Sequence, residues 1–282
     1  MWKKLILLLI VAIGINITLS VNASGSISGP GDAAITGYNV DGNDNIAFVL
    51  LGDTTPNQVI YFTDNEWNGS AIGSGGAFND TNEGFLTWTA PATSLIAGTV
   101  IEIDNGSTSS PTATEGTVTR SGNFNLGGSN EVLYAYLGAD EQTPTAFLTA
   151  FASDGFTSSY GTLNGTGLTE GTDAIDFDGV DDDVDIAAYN GLRDNQNTAD
   201  AYLAQIMSTD NWITQDGSGD QSNDGTPPDV PFDTTSFTTP TAIIFAGMNA
   251  SDGLSNNAII ALLAGFSALL VGGFWLRRRT TH

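Results

Sequence analysis

Carboxylates are the side chains of this sequence with the most evident chemistry, and they are densest in the run DFDGVDDDVD. Five of its aspartates alternate or nearly alternate along the chain: Asp176, Asp178, Asp181, Asp183 and Asp185. Calcium takes about six to eight oxygen ligands, typically from Asp side chains and backbone carbonyls of a loop containing glycine, which Gly179 supplies here. Like charges held this close together are costly without a counterion. The run therefore predicts a Ca²⁺ site, with a solvated acidic loop as the alternative.

Two other acidic stretches are candidates of the same kind. They are Asp41, Asn43 and Asp44 in the turn VDGNDN, and Asp216, Asp220 and Asp224 in a later segment whose composition indicates a flexible loop. Neither the main run nor the VDGNDN turn fits the EF-hand pattern. In the main run, Ala187 stands at the twelfth loop position, where that motif requires a bidentate Glu.

Several kinds of catalysis are excluded for the part of the chain between its hydrophobic ends. Cysteine is absent and the single histidine is the last residue, His282, so His-based triads, thiol nucleophiles and the usual zinc sites have no residues to form them. Carboxylate catalysis, as in glycosidases, remains open. The candidates are three acids beside two tryptophans: Asp64, Glu66, Glu83, Trp67 and Trp88. The alternative assigns them to a turn and to core packing, and we expect a protein that is not an enzyme.

Tryptophan exposure separates a glycan-binding protein from a structural one. If Trp67, Trp88 and Trp212 lie exposed in a row on one face, they favour stacking against sugar rings. If they are buried against the sheet, they favour a structural interpretation.

The charge of the chain is strongly one-sided. All 32 acidic residues lie between Asp32 and Asp252, and in the same region only Arg120 and Arg193 are basic, which gives a formal charge of −30. Such a surface repels nucleic acid phosphates and anionic lipid head groups, so we expect no nucleic acid partner. Divalent cations, monovalent salt or simple solubility remain as explanations of the charge.

The two ends of the chain predict export and anchoring. Residues 1–23 have the lysines, apolar run and small residues of a secretory signal peptide. Residues 258–276 carry no charge and are followed by the arginines of the basic tail 277–282; as a helix they span about 28 Å, which suits a membrane. By the positive-inside rule, the region between them lies outside the cell.

The region between the ends is predicted to be all-β. Seven segments have the composition of strands bounded by turns: 34–40, 45–51, 58–64, 84–90, 98–103, 131–137 and 145–152. Their spacing favours an antiparallel β-sandwich over residues 24–226, and EVLYAYL, apolar on both faces, is expected to be central. Residues 197–207 predict one short helix. The Pro-, Thr- and Asp-rich residues 227–257 predict a stalk.

Several blocks of sequence carry a resemblance to a known family. They are the GD pair at 31–32, FVLL at 48–51, YFTDNEW at 61–67, EGFLTWTAP at 83–91, YNG at 189–191 and NW at 211–212. Together they resemble an uncharacterised family of secreted bacterial β-rich surface domains, over about residues 30 to 215. The resemblance implies a single extracellular or surface-anchored domain, and the family has no established catalytic residues to carry over. The C-terminal tail is similar to exosortase-type tails but lacks a sorting signature, so processing and plain membrane anchoring are both open.

The sequence thus predicts an acidic β-sandwich displayed at the cell surface, structural or adhesion-type, stabilised by calcium, with a glycan or protein ligand and a membrane contact through its C-terminal helix. The alternative is a carbohydrate-binding module or a carboxylate-based glycan-active enzyme. A third hypothesis is that the charge is an adaptation to a salty environment.

Overall fold

The computed structural model describes residues 25–79, 83–181 and 183–238. The predicted signal peptide, the remainder of the predicted stalk and the predicted membrane helix at 258–276 lie outside these residues. Within the described part of the chain, no helix has the length and apolar character needed to cross a membrane.

The described residues form twelve strands and one α-helix. The strands are β1 (Ala33–Asn39), β2 (Asn45–Leu50), β3 (Val59–Thr63), β4 (Gly84–Thr89), β5 (Val100–Asp104), β6 (Thr112–Ala113), β7 (Thr117–Gly122), β8 (Val132–Asp140), β9 (Thr143–Ala152), β10 (Ala174–Asp176), β11 (Ile186–Tyr189) and β12 (Trp212–Gln215). The helix is α1 (Ala199–Ile206), and a 3₁₀ turn, Thr209–Asn211, follows it. All seven predicted strands are confirmed. Strands β6, β7, β10, β11 and β12 were not predicted.

The strands make two six-stranded sheets. Sheet I has the order β12-β11-β1-β2-β5-β6, and sheet II has the order β10-β9-β8-β3-β4-β7. The pairs are antiparallel except for β9 and β10, which are parallel. The prediction of a purely antiparallel sandwich is therefore right for sheet I and incomplete for sheet II. The long connection over residues 153–173 lets the chain return in the same direction, which a short hairpin cannot do.

The main core lies between the sheets and is rich in aromatic rings. Phe48 of sheet I lies 4.9 Å from Phe62 and 5.3 Å from Trp88, both of sheet II, between ring centroids. These side chains are fully buried. The packing of one sheet face on the other is what makes the fold a sandwich.

A second apolar cluster covers the outer face of sheet II. Tyr134 and Tyr136 of β8 pack there with Trp67 and Phe147, whereas Leu133 belongs to the core between the sheets. Strand β8 is thus central in its sheet and buried on both faces, as its doubly apolar pattern predicted.

Helix α1 begins after a capping residue, Thr198, within the segment predicted to be helical. The Thr198 hydroxyl accepts a hydrogen bond from the Ala201 amide, and Asp200 occupies the first turn, where the helix dipole favours a negative charge. Tyr202 and Ile206 form the buried face of the helix.

Residues 227–238, which we call the strap, pack on the sandwich instead of beginning a stalk. The Phe232 ring lies over Gly37, and its amide donates to Glu102 Oε1 at 2.8 Å. Further along, the Phe237 amide donates to the Gly98 carbonyl. The sequence prediction of a stalk from residue 227 is therefore wrong for these residues. The prolines and threonines of this segment are typical of a stalk, but its two phenylalanines, Phe232 and Phe237, are buried against the sandwich.

Small residues of sheet I make room for the strap. Ala188, Gly37, Ala47 and Glu102 are neighbours across four strands, so they form one row on the same face. A Cβ at Gly37 would lie 2.7 Å from the Phe232 ring. The small residues Ala188, Gly37 and Ala47 leave room for the Phe232 ring to pack against the sheet.

Candidate functional site

The predicted calcium run connects the two sheets, because Asp176 ends β10 of sheet II and Asp185 directly precedes β11 of sheet I. Its carboxylates hold backbone groups of three different segments. Asp176 Oδ1 accepts from the Gly155 and Asp178 amides, both at 2.9 Å. Asp183 Oδ1 accepts from the Asn130 amide at 2.9 Å. Asp185 Oδ2 accepts from the Gly217 amide at 3.2 Å.

The structure divides the five predicted ligands instead of gathering them. Asp185 lies near Asp183 and near the charges of two other acidic stretches, whereas Asp176 and the exposed Asp178 lie beside the loop at Gly155. Asp181 is half-buried and its amide donates to the Phe177 carbonyl. In the described residues, no group of three or more Asp, Glu, His or Cys side chains has an arrangement that could hold a metal ion.

Acidic residues from three separate stretches meet at one end of the sandwich. Burial, followed by the charges of Asp41, Asp216 and Asp183, raises the pKa of Asp185. Asp41 Oδ2 also accepts from the Gln221 amide at 2.7 Å, which ties the VDGNDN turn to the segment after β12. We call Asp41, Asp183, Asp185 and Asp216 the acidic pole. Each of the three acidic stretches singled out in the sequence contributes to it.

A second set of carboxylates lies deeper and holds the connection 123–130. Asp64 Oδ2 accepts from the Asn125 amide at 2.7 Å, and Asp44 Oδ2 accepts from the Leu126 amide at 2.8 Å. Glu131 Oε2 accepts from the Gly127 amide at 2.8 Å. The connection 123–130 joins β7 to β8 of sheet II, whereas Asp44 follows β1 of sheet I. The hydrogen bonds therefore fasten the connection across the end of the sandwich.

Burial raises the pKa of all three of these carboxyl groups, that of Asp44 to about 7, that of Asp64 to about 6 and that of Glu131 to about 9. Burial is the largest cause in each case, and the backbone hydrogen bonds oppose it. Glu131 was not singled out in the sequence. The signal that could have found it is its position directly before a strand that is buried on both faces.

The carboxylates considered for glycosidase chemistry are placed differently. Asp64 is buried, and both of its oxygens accept backbone amides, Oδ1 from Gly84 and Oδ2 from Asn125. Glu66 and Glu83 are half-buried. Asp64 therefore holds the fold together at the start of β4 rather than facing a cleft.

The three tryptophans do not form an exposed row. Trp67, Trp88 and Trp212 are 1%, 0% and 8% exposed. Each indole N–H donates to a backbone carbonyl, of Ser70, Glu115 and Ile206 respectively. They are packing residues with satisfied hydrogen bonds, which is the arrangement that favours the structural interpretation.

The two arginines between the hydrophobic ends, Arg120 and Arg193, both donate hydrogen bonds to backbone carbonyls. Arg120 donates to the Phe124 carbonyl, at the start of the connection 123–130. Arg193 is 9% exposed and donates to the Thr235 carbonyl at 2.8 Å, and it makes the single ion pair found among the described residues, 3.5 Å from Asp233 Oδ2. Both cations are thus engaged with carbonyls outside the acidic pole.

Compared with protein-family models, curated proteins and solved structures, the chain matches none of them.

Proposed function

We propose that the chain is a non-enzymatic surface protein, an acidic β-sandwich exported and anchored outside the cell, with a structural or adhesion role. Its hydrophobic ends support export and anchoring, and the burial of the tryptophans supports a structural role. We further propose that calcium binds the acidic pole and stabilises the sandwich there. Binding requires these carboxylates to turn toward a common ion, because among the described residues no three of them are arranged to hold one.

The observation that carries the calcium proposal is the meeting of three acidic stretches around Asp185. The charges of Asp41, Asp183 and Asp216 all repel this buried carboxyl group, and that repulsion opposes folding. A carboxylate accepts about four hydrogen bonds or equivalent contacts, so one backbone amide does not exhaust Asp41 or Asp185. A hard divalent cation relieves the repulsion and uses the remaining oxygens.

The test is the thermal unfolding of the full chain, purified in detergent, first in chelator and then in calcium at matched ionic strength. At a calcium concentration of 100 times the dissociation constant, the expected gain is about 2.7 kcal/mol. For a domain of this size, that corresponds to an increase in Tm of about 5 to 10 °C.

A charge-matched comparison locates the effect. The Asp41→Asn, Asp185→Asn, Asp216→Asn triple variant is expected to lose the calcium response. Asn keeps an acceptor oxygen for each backbone amide, so the variant is expected to fold.

The control removes the same number of charges from exposed positions elsewhere, by Glu115→Gln, Glu170→Gln and Asp194→Asn, and is expected to keep the response. A response lost equally in both triple variants would show a general charge effect. A melt that moves only with molar monovalent salt would replace calcium binding with adaptation to salt.

A further inference from the structure

A shallow pocket lies on the outer face of sheet II, away from the acidic pole. Tyr136, Tyr61 and Thr87 are direct neighbours across β8, β3 and β4, so they form a row on one face of the sheet. The tip of the β8–β9 hairpin rises beside this row. The pocket has a volume of about 480 Å³, within the usual range for small ligands.

The hairpin tip is fixed by its own hydrogen bonds. Asp140 pairs with Thr143, so Glu141 and Gln142 form a two-residue turn. The Gln142 amide donates to Asp140 Oδ1 at 3.0 Å. The Tyr136 hydroxyl donates to the Glu141 carbonyl. The Ser121 hydroxyl donates to Glu141 Oε2 at 2.6 Å, which joins the tip to β7. Because these hydrogen bonds already fix the hairpin tip, it loses little conformational entropy when a ligand binds.

The lining combines one aromatic ring with several hydrogen-bonding groups. Its residues are Tyr61, Thr87, Asp140, Glu141, Gln142 and Thr143. The half-exposed Tyr61 ring stacks on Tyr136, with 5.5 Å between centroids and 24° between planes, so it is supported from within the sheet. Burial and the charges of Asp140 and Glu141 raise the pKa of Tyr61, so its hydroxyl stays protonated at neutral pH and both carboxylates lie near it.

We propose that this pocket binds a neutral sugar ring at the end of, or within, a glycan. A ring face of tyrosine suits the C–H face of a pyranose. The carboxylates and the side-chain amide of Gln142 suit pairs of neighbouring sugar hydroxyls, because each hydroxyl is both a donor and an acceptor. The two carboxylates repel uronic or sulfated sugars. Hydroxyls of Thr87 and Thr143 and an amide complete the lining, which favours a polyhydroxylated ligand over a simple organic cation.

This inference deepens the adhesion role and rests on the proposed function for its place outside the cell. The binding itself is a property of the folded pocket. It is therefore measured on purified protein, where failure of anchoring or of calcium binding does not affect it.

The experiment is a glycan array followed by calorimetric titration with the neutral sugars that respond, using the full chain in a detergent without a sugar head group. Three variants remove pocket groups and leave the strands intact: Asp140→Asn, Gln142→Ala and Thr87→Val. The Asp140→Asn variant keeps a side-chain oxygen that can accept the hydrogen bond from the backbone amide of Gln142. Each loss of a hydrogen bond is expected to weaken binding about tenfold. Asp200→Asn, in the first turn of α1, removes the same charge elsewhere and is expected to leave binding unchanged.

Choline chloride serves as the cationic probe. Binding of choline and of no neutral sugar at about 10 mM would overturn the proposal in favour of an ammonium site. Sugar binding that all three pocket variants retain would also overturn it, because the sugar would then bind elsewhere. Melting curves of each variant, matched to the unsubstituted protein, show that a loss of binding does not come from unfolding.

Discussion

If the strap is part of the folded domain and not a stalk, truncating its two phenylalanines must destabilise the protein. Phe232 and Phe237 are each 5% exposed, and they contact different partners. Phe232 lies with Ala47 and Ile186, whereas the Phe237 ring lies 4.9 Å from the Arg193 guanidinium carbon. Truncating a phenylalanine removes its buried area and leaves a cavity.

We expect Phe232→Ala and Phe237→Ala each to lower the free energy of unfolding by about 2 to 4 kcal/mol. Because the two rings belong to different apolar clusters, the double variant is expected to lose close to the sum. That loss is a large part of the roughly 5 to 15 kcal/mol that stabilises a typical domain. A residue in a solvated stalk would change the stability by less than about 0.5 kcal/mol.

The assay is urea unfolding of the full chain in detergent, followed by the fluorescence of the buried tryptophans. Thr234→Ala and Ser236→Ala are the matched controls, since both residues are exposed in the same segment. If the phenylalanine variants unfold at the same urea concentration as these controls, the strap does not contribute to the fold and the reasoning is refuted.

Two further predictions concern the sheet beneath the strap and the buried carboxylates. Gly37→Ala brings a Cβ to 2.7 Å from the Phe232 ring and to 2.9 Å from the Ala47 Cβ, so we expect a loss of about 1 to 3 kcal/mol in urea unfolding. The loss is expected to be smaller in the Phe232→Ala background, and an equal loss there would show that the strap does not contribute to the strain. Because the pKa of Asp44 is raised to about 7 in the folded protein, its contribution to stability is complete below about pH 4 and is lost as the pH rises through about 7, by up to about 4 kcal/mol. Urea midpoints measured from pH 4 to 8 should therefore fall, and fall less in Asp44→Asn; an identical pH dependence in the two proteins would show that Asp44 is not the source.

The strands that the sequence predicted are those with long apolar runs. Strands β1 and β2 are buried throughout, and β8 and β9 each contain a continuous run of buried residues, so composition alone identifies them. Strand β7, TVTRSG, has no fully buried residue and is paired on one side only, and β10 has three residues. Edge and short strands form because a neighbour offers hydrogen bonds, and their own sequence carries little signal.

The candidate sites could also be predicted from the sequence only in part. The five candidate aspartates of DFDGVDDDVD lie within one short run, yet only Asp183 and Asp185 belong to the acidic pole with Asp41 and Asp216. The direction of each carboxylate depends on which backbone amide the rest of the fold brings near it. The hairpin tip at Asp140–Thr143 gave no signal in the sequence, since its pocket exists only where β8 and β9 rise beside Tyr61.

The sequence by itself determined the one-sided charge, the absence of cysteine and of histidine before the last residue, the hydrophobic ends, the all-β composition and the capped helix, because these depend on residue types or on local periodicity. Only the tertiary structure decided the parallel β9–β10 pair, the docking of the strap, the burial of the tryptophans and the partners of each carboxylate. These depend on contacts between residues far apart in the chain, whose free energy comes from packing and from the hydrogen bonds that burial makes obligatory.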